Sequence, residues 1–278
     1  MTAVAKILSI AGSDPSGGAG VQGDIKTFSA LGCYGMAAVT ALTAQNTLGV
    51  QGVQVVAPEF VAAQIESVFS DIAVDAVKIG MIGSVANVEA IAAQLLRFKA
   101  ANVVLDPVMV ATGGHSLGGD ELVGPIRDKL FPLARLVTPN LIESALLAGD
   151  RMPEEPGDMR AIALKLHALG APAVLVKGGH LPDGAAYDLL YDGAEFTEFS
   201  APRVATRNNH GTGCALSSAI AARLGQGAEL KQAIADAKAF LSGALEAGKA
   251  FEIGAGHGPP HHFFALWRDR AVSLGGNG

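Results

Sequence analysis

Lys6-Ile7-Leu8-Ser9-Ile10 runs directly into Ala11-Gly12-Ser13-Asp14-Pro15-Ser16-Gly17-Gly18-Ala19-Gly20, and a helical pattern follows over Val21–Leu31. A buried strand, a glycine-rich turn and a helix in that order make the opening unit of an α/β protein. The rhythm repeats outward. Apolar runs at Gly35–Leu42, Val53–Val56, Ala76–Ile79, Asn102–Leu105, Leu136–Thr138 and Ala173–Val176 read as strands. Helical patterns cover Pro58–Phe69, Ala86–Phe98, Ile142–Leu147, Met159–Leu169, Thr212–Arg223 and Leu230–Ala247. Pro58 suits a first helical position, where its missing N–H costs nothing. Ala186–Tyr191 and Glu195–Phe199, joined by Asp192-Gly193-Ala194, read as a hairpin. The alternation predicts a right-handed α/β sandwich on a mainly parallel sheet. No linker, repeat or low-complexity tract interrupts residues 1–278, so a single domain is expected; Gly254–Pro260 and Gly275–Gly278 read as loop and frayed end.

Composition narrows the function classes. Half of the 278 residues are hydrophobic and 17% are charged, which favours a sizeable core and disfavours disorder. Few aromatics, with Ala, Val, Ile and Leu dominant, suit strands covered on both faces. The net charge of −6 comes without a dense basic run, so neither nucleic acid nor an anionic membrane is an expected partner. Cys33 and Cys214 form no CxxC pair and indicate no disulfide framework. Met1–Lys6 lacks a signal-peptide pattern, and no uncharged apolar run reaches a membrane span. A soluble cytoplasmic protein is the expectation.

In parallel sheets, ligands bind beyond the carboxyl ends of the strands. Asp14, Met81, Asp106, Asn140 and Lys177 fall at such ends. Asn208-Asn209-His210-Gly211-Thr212-Gly213-Cys214 opens a helix, whose first-turn N–H donors and dipole can cradle a phosphate. Cys214 would share that first turn, where a thiol is pushed towards its thiolate; a small buried cysteine is the bland alternative. Gly18-x-Gly20-x-x-Gly23 follows a strand but lacks the acid about 20 residues on that a dinucleotide fingerprint needs, and the loop is no Walker A motif. Asp24 reads either as a first-turn acid complementing the dipole or as a pocket residue. Gly114-His115-Ser116-Leu117-Gly118 matches G-x-S-x-G, yet no tight strand–Ser–helix turn surrounds it. A mobile lid over Thr112–Gly119 is the alternative. Asp106 and Glu143 could hold Mg²⁺ beside nucleotide phosphates, or serve as cap and surface pair. Lys177 before Gly178-Gly179 could reach a phosphate. His257, His261 and His262 lack the companion cysteines of a zinc site and read as packing or terminal residues.

Taken in order, the glycine loop, Thr43-Ala44-Gln45-Asn46-Thr47, Lys78-Ile79-Gly80-Met81, Asp106-Pro107-Val108-Met109, Thr138-Pro139-Asn140-Leu141, Val176-Lys177-Gly178-Gly179-His180 and His210-Gly211-Thr212-Gly213-Cys214 closely resemble the hydroxymethylpyrimidine/phosphomethylpyrimidine kinase family of the ribokinase-like superfamily. The resemblance spans nearly the whole chain, to Pro260-His261-His262-Phe263. It implies a ribokinase-like three-layer α/β/α sandwich and a commonly dimeric enzyme. It also implies two successive phosphorylations, with ATP and Mg²⁺, of 4-amino-5-hydroxymethyl-2-methylpyrimidine and then of its monophosphate. On the matching positions, it implies that Gln45 reads the pyrimidine and that Gly12, Asp24, Met81 and Val108 line its pocket. Gly211, Gly213 and Cys214 would form the catalytic anion hole and base, with Asp24 the rival for the base; Lys177 and Asn140 would face the nucleotide, and Asp106 and Glu143 the metal. An amide that donates and accepts suits a ring nitrogen beside an exocyclic amine. Three positions depart from the family pattern: Asn209 where Thr is frequent, Ile142 where Pro is common, and Gly113-Gly114-His115 in the lid. A pyridoxal or pyridoxine kinase of the same fold, and a non-catalytic pyrimidine-binding protein, are the alternatives.

Overall fold

The computed structural model describes residues 3–109, 119–179 and 185–267. The G-x-S-x-G serine Ser116, the lid expected over Thr112–Gly119 except for Gly119 itself, His180 and the Gly275–Gly278 tail lie outside them.

The opening unit forms as its residues dictate, with β1 (Lys6–Ala11), the glycine loop and α1 (Gly20–Ala30). The run expected as one strand at Gly35–Leu42 divides at Thr40 into β2 (Tyr34–Val39) and β3 (Ala41–Asn46). Thr40 is fully buried; its N–H extends the β1–β2 ladder to Ala11 O at 3.0 Å, while its hydroxyl donates to Met81 O at 2.6 Å and its carbonyl accepts from Val56 N–H at 2.9 Å. That pins the turn and releases β3 from the main sheet. β3 pairs instead with β4 (Gly49–Val55) as a separate antiparallel flap. Next come α2 (Pro58–Phe69), β5 (Ala76–Ile79), α3 (Val85–Arg97) and β6 (Val103–Leu105). Residues 120–133 form a chain of helical turns that the sequence did not signal, with one α turn at its centre (α4, Val123–Pro125). The remainder is β7 (Leu136–Val137), α5 (Leu141–Ala148), α6 (Pro156–Ala168), β8 (Val174–Lys177), the hairpin β9 (Ala185–Tyr191) and β10 (Phe196–Pro202), α7 (Thr212–Gly225) and α8 (Leu230–Gly248).

The main sheet has the order β10-β9-β8-β7-β6-β5-β1-β2. It is parallel from β2 to β8, and β9 and β10 add an antiparallel edge. Side-chain alternation sends Leu8, Ile10, Val77, Ile79, Val103, Leu105, Val137 and Val174 into one core with Ile65 of α2, Ile91 of α3, Leu147 of α5 and Ile162 of α6. Ile7, Ala76, Val104, Leu136 and Leu175 enter the opposite core with Phe28 of α1, Ile220 of α7 and Ile234 of α8. The result is three layers. Ser9 and Lys78 break the apolar pattern: both are fully buried and, by alternation, both face the α1–α7 layer.

Candidate active site

A cavity of about 660 Å³ opens at the carboxyl ends of β1, β5, β6 and β8, roofed by the flap. Its wall brings together Gly12, Gln45, Met81, Val108, Asp106, Asn140, Glu143, Lys177, Gly211, Gly213 and Cys214. Strand ends and helix starts meet there, so residues far apart in sequence converge by topology alone.

The phosphate-sized corner is built on α7. Its N-cap Gly211 has φ 82°, a left-handed conformation that only glycine holds without strain, and a Cβ there would strike Gly18 O. Among the described residues, the backbone N–H groups of Gly213 and Cys214 have no acceptor, as a helix start requires. The Lys177 ammonium stands 3.2 Å from where a Cβ on Gly213 would lie. It donates to Asp106 Oδ1 at 2.6 Å. Thr138 and Ser217 hydroxyls donate to the two oxygens of Asp106 at 3.2 and 3.0 Å. Burial opposes the Asp106 charge, but Lys177 and Lys78 hold its carboxyl below the usual range.

Asn140 and Glu143 form a capping box at the start of α5. Glu143 N–H donates to Asn140 Oδ1 at 2.9 Å, and Asn140 N–H donates to Glu143 Oε2 at 2.8 Å. The capping reading and the cavity reading of Glu143 therefore hold together. Burial pushes its carboxyl up to about 7, Lys177 draws it down and the Asp106 charge pushes it up.

Two sequence expectations are corrected. Asp24 is the fifth residue of α1 rather than a first-turn acid, and it lies outside the cavity wall. Its oxygens accept from Lys78 Nζ at 2.9 Å each, from Ser9 at 2.6 Å and from Ser218 at 2.7 Å. Ser9 of β1 and Lys78 of β5 hold the carboxylate against the sheet, off the cavity wall. The second correction concerns Cys214. It does reach the cavity, but burial pushes its thiol up to about 11, against a smaller downward pull from Lys78 and a hydrogen bond from Gly20 N–H; Asp24 and Asp106 add to the rise. The helix start alone does not make a thiolate.

Sequence reading also missed a polar relay across the mouth. Asp14 accepts from the backbone of Ser16, Gly18 and Ala19, and from the Ser16 hydroxyl at 2.6 Å. Its Oδ2 lies 2.8 Å from His210 Nε2. Although burial opposes it, the His210, Ser16 and Ala19 hydrogen bonds hold Asp14 at about 2. Bonded to an ionised carboxylate, His210 Nε2 carries a proton. Gln45 Nε2 stands 3.3 Å from that nitrogen, which would set two donors face to face. Turning the amide over presents its oxygen to His210 and its NH₂ to Thr43 Oγ1, whose proton goes to Ser13 O at 2.9 Å. The relay ties flap, glycine loop and anion loop together. The signal for it was Asp14 at a strand end and His210 beside Gly211; nothing local paired them. His261 and His262 pack at the C-terminal segment, as expected, and His257 Nδ1 donates to Asn209 Oδ1, 2.9 Å away, on the rim.

A three-layer α/β/α fold with a glycine-gated anion corner, a lysine–aspartate pair and a flap over a small cavity defines a small-molecule kinase of the ribokinase-like class. The chain belongs to the phosphomethylpyrimidine kinase family, whose profile matches residues 14–261. It is 51% identical over 269 residues to a Rhizobium meliloti hydroxymethylpyrimidine/phosphomethylpyrimidine kinase, covering 97% of this chain and all of the relative. Among solved structures, it resembles a Bacillus subtilis pyridoxal kinase in an ADP complex, with TM-score 0.87, 38% identity and coverage of 94% and 98% of the two chains. It also resembles a Clostridium difficile phosphomethylpyrimidine kinase, with TM-score 0.76, 39% identity and coverage of 86% and 98%.

Proposed function

We propose that this chain transfers phosphate from ATP to the hydroxymethyl group of 4-amino-5-hydroxymethyl-2-methylpyrimidine, and then phosphorylates that monophosphate to the diphosphate, as a step of thiamine biosynthesis. The observation that carries the reading is the convergence of Gln45, Cys214, Lys177 and Asp106 on one cavity. Kinship with relatives named for both phosphorylations supports the substrate.

Gln45 reads the ring, oriented by His210. Gly12, Met81 and Val108 shape the floor, and Gly12 leaves room for the Met81 sulfur, 2.9 Å from where its Cβ would stand. The free N–H groups of Gly213 and Cys214 meet the transferred phosphoryl oxygens, where charge builds in the transition state. Lys177 and Asn140 serve the nucleotide side. Cys214 is the base: as thiolate it takes the substrate hydroxyl proton while the oxygen–phosphorus bond forms and the bond to the leaving diphosphate oxygen breaks. Asp24 is too enclosed for that role.

The donor set fits Mg²⁺. Two neighbouring carboxylates share one ammonium, and the crowding leaves Glu143 near 7. Among the described residues, no cluster of three acidic, His or Cys side chains forms a closed cage, which suits an ion held by Asp106 and Glu143 through waters and phosphates. When bound, the ion neutralises charge on the transferred group.

The homodimer implied by the resemblance is supported by the flap, which leaves Leu42, Leu48 and Val53 exposed. The cytoplasm remains the proposed location, and no described helix is long and apolar enough to cross a membrane. The fold likeness to pyridoxal kinases favours pyridoxine as the one competing substrate. Mass spectrometry after incubation with ATP, Mg²⁺ and each acceptor separates the readings. Sequential mono- and diphosphate from the pyrimidine are expected. Phosphorylation of pyridoxine alone would overturn the assignment, and no product from either would favour a binding protein.

A further inference from the structure

The flap that roofs the cavity is a hairpin outside the main sheet, and two strands by themselves are marginal in water. Its base is tied to the glycine loop: Ser13 N–H donates to Ala41 O at 2.8 Å, and the Thr43 hydroxyl donates to Ser13 O at 2.9 Å. Its tip, beyond Gln45, is held from another direction. The glycine-rich stretch after α8, which reads from sequence as a plain loop, crosses the turn between β3 and β4. Gly256 N–H donates to Thr47 Oγ1 at 3.2 Å, and His257 N–H donates to Thr47 O at 2.9 Å. The same stretch holds the anion loop. Gly258 O accepts from His210 N–H at 3.0 Å, and His257 Nδ1 donates to Asn209 Oδ1 at 2.9 Å. Asn208 fastens the start of the stretch, donating to Gly248 O at 2.7 Å and to Phe251 O at 2.9 Å. Both grips depend on close backbone approach. A Cβ on Gly256 would strike Thr47 O, and one on Gly258 would strike Asn208 Oδ1.

We propose that Gly256, His257 and Gly258 form a positioning clasp for the reaction: they pin the flap tip to the anion loop and so set where Gln45 meets the ring relative to the phosphate corner. This deepens, and rests on, the reading of Gln45 as the residue that recognises the pyrimidine. Gln45 stands just before Thr47 on β3, and its amide meets His210, whose own N–H the clasp holds. Across the mouth, flap and anion loop touch through that one side-chain contact of 3.3 Å. A single such bond is worth about 1 kcal/mol, too little to fix a marginal hairpin. The backbone bonds of the clasp add to it from outside, at both of its ends. Phosphoryl transfer depends chiefly on holding the acceptor in line with the donor. A segment that ties the ring reader to the anion corner therefore acts on the chemistry without touching a substrate.

The test uses the full chain. Gly256→Ala sets one methyl group against Thr47 O at a residue whose φ is not left-handed, so it strains the contact and not the backbone. Hydrogen exchange over residues 41–55 should quicken by about fivefold, the worth of one lost hydrogen bond, while β5 and β6 keep parental protection. KM for the pyrimidine should rise by a similar factor, with KM for ATP unchanged; a merely structural role would leave the first of these alone. Acting through Gln45, the clasp should add nothing to that KM in a Gln45→Leu background. Thr47→Val removes the acceptor of Gly256 N–H and keeps the shape; it should repeat the pattern at smaller size, and it decides the matter if Gly256→Ala does not fold. Parental exchange over residues 41–55 in the folded variants overturns the clasp. So do KM effects of Gly256→Ala and Gln45→Leu that simply multiply. An unchanged pyrimidine KM in Gln45→Leu alone sinks the ring-reading role, and the clasp's purpose with it, whatever the exchange shows.

Discussion

At the scale of single residues, the cavity makes its demands through few atoms. Gln45 offers the pyrimidine an amide whose orientation is dictated by His210 and Thr43. Gln45→Leu should leave buried ring atoms unpaired and weaken pyrimidine binding by about 1–3 kcal/mol. Steady-state kinetics would show this as a higher KM for the pyrimidine with KM for ATP unaltered. Cys214→Ser keeps the backbone anion hole, so both substrates should bind nearly normally while kcat falls by about 10² to 10⁴, the usual contribution of a positioned base. A pH–rate profile should lose its thiol limb in the same variant. Asp24→Asn, with Cys214 intact, should still turn over, since its carboxylate lies outside the cavity wall.

At the scale of elements, two helix ends can be probed separately. The capping box at α5 ties Asn140 to Glu143 by reciprocal bonds of 2.8 and 2.9 Å. Asn140→Ala should cost about 1 kcal/mol of stability, the ordinary worth of an N-cap. Urea denaturation would report it. The C-terminal segment holds His262 against α1 with its Nε2 buried and without a partner among the described residues. Burial lowers this imidazole from 6.5 to about 4. The folded protein therefore resists its protonation. The stability is fully present above about 6.5 and is lost as pH falls towards the folded-state value of about 4, where the loss reaches about 3 kcal/mol. His262→Phe should remove that acid-side slope, measurable as a smaller drop in unfolding free energy between neutral and acid solution. An unaltered slope would show that other groups set it.

At the scale of the molecule, the parallel sheet is the frame and the two cores hold it rigid on either side, so the strand ends stay fixed while the flap reaches over them. Any ligand that binds only this closed arrangement adds to stability by mass action. Mg²⁺ with ATP at a hundred times its dissociation constant should stabilise the fold by about 3 kcal/mol. A thermal shift should register it, and it should shrink in Lys177→Met when each protein is compared with its own ligand-free state. Sedimentation velocity would decide the homodimer: Leu42→Asp on the flap should leave a monomer with an intact far-ultraviolet spectrum.

Much of this was legible along the chain. Strand runs such as Leu136–Val137, the helix over Pro58–Phe69 and the hairpin at Asp192-Gly193-Ala194 follow from local periodicity, proline and turn chemistry, and the structure has them where they were expected. Strand-end positions marked the glycine loop, Asp106 and Lys177, a helix start marked the Gly211–Cys214 corner, and Gln45 was marked by the family resemblance alone. Other features depended on contacts between distant segments. Thr40 splits an apolar run because its hydroxyl and carbonyl leave the ladder for Met81 and Val56. Asp24 is sealed by partners from β1, β5 and α7 rather than by its own helix. Local rules placed the Cys214 thiol low, at a helix start, while the protein packed round its sulfur pushes it up to about 11. Periodicity and caps are written in neighbouring residues, so the sequence alone determined most of the elements and their order, but neither the break at Thr40 nor the helical turns of 120–133. Burial and charge pairing are sums over residues brought together only by folding, so the tertiary structure alone decided which side chains face the cavity and in what protonation state.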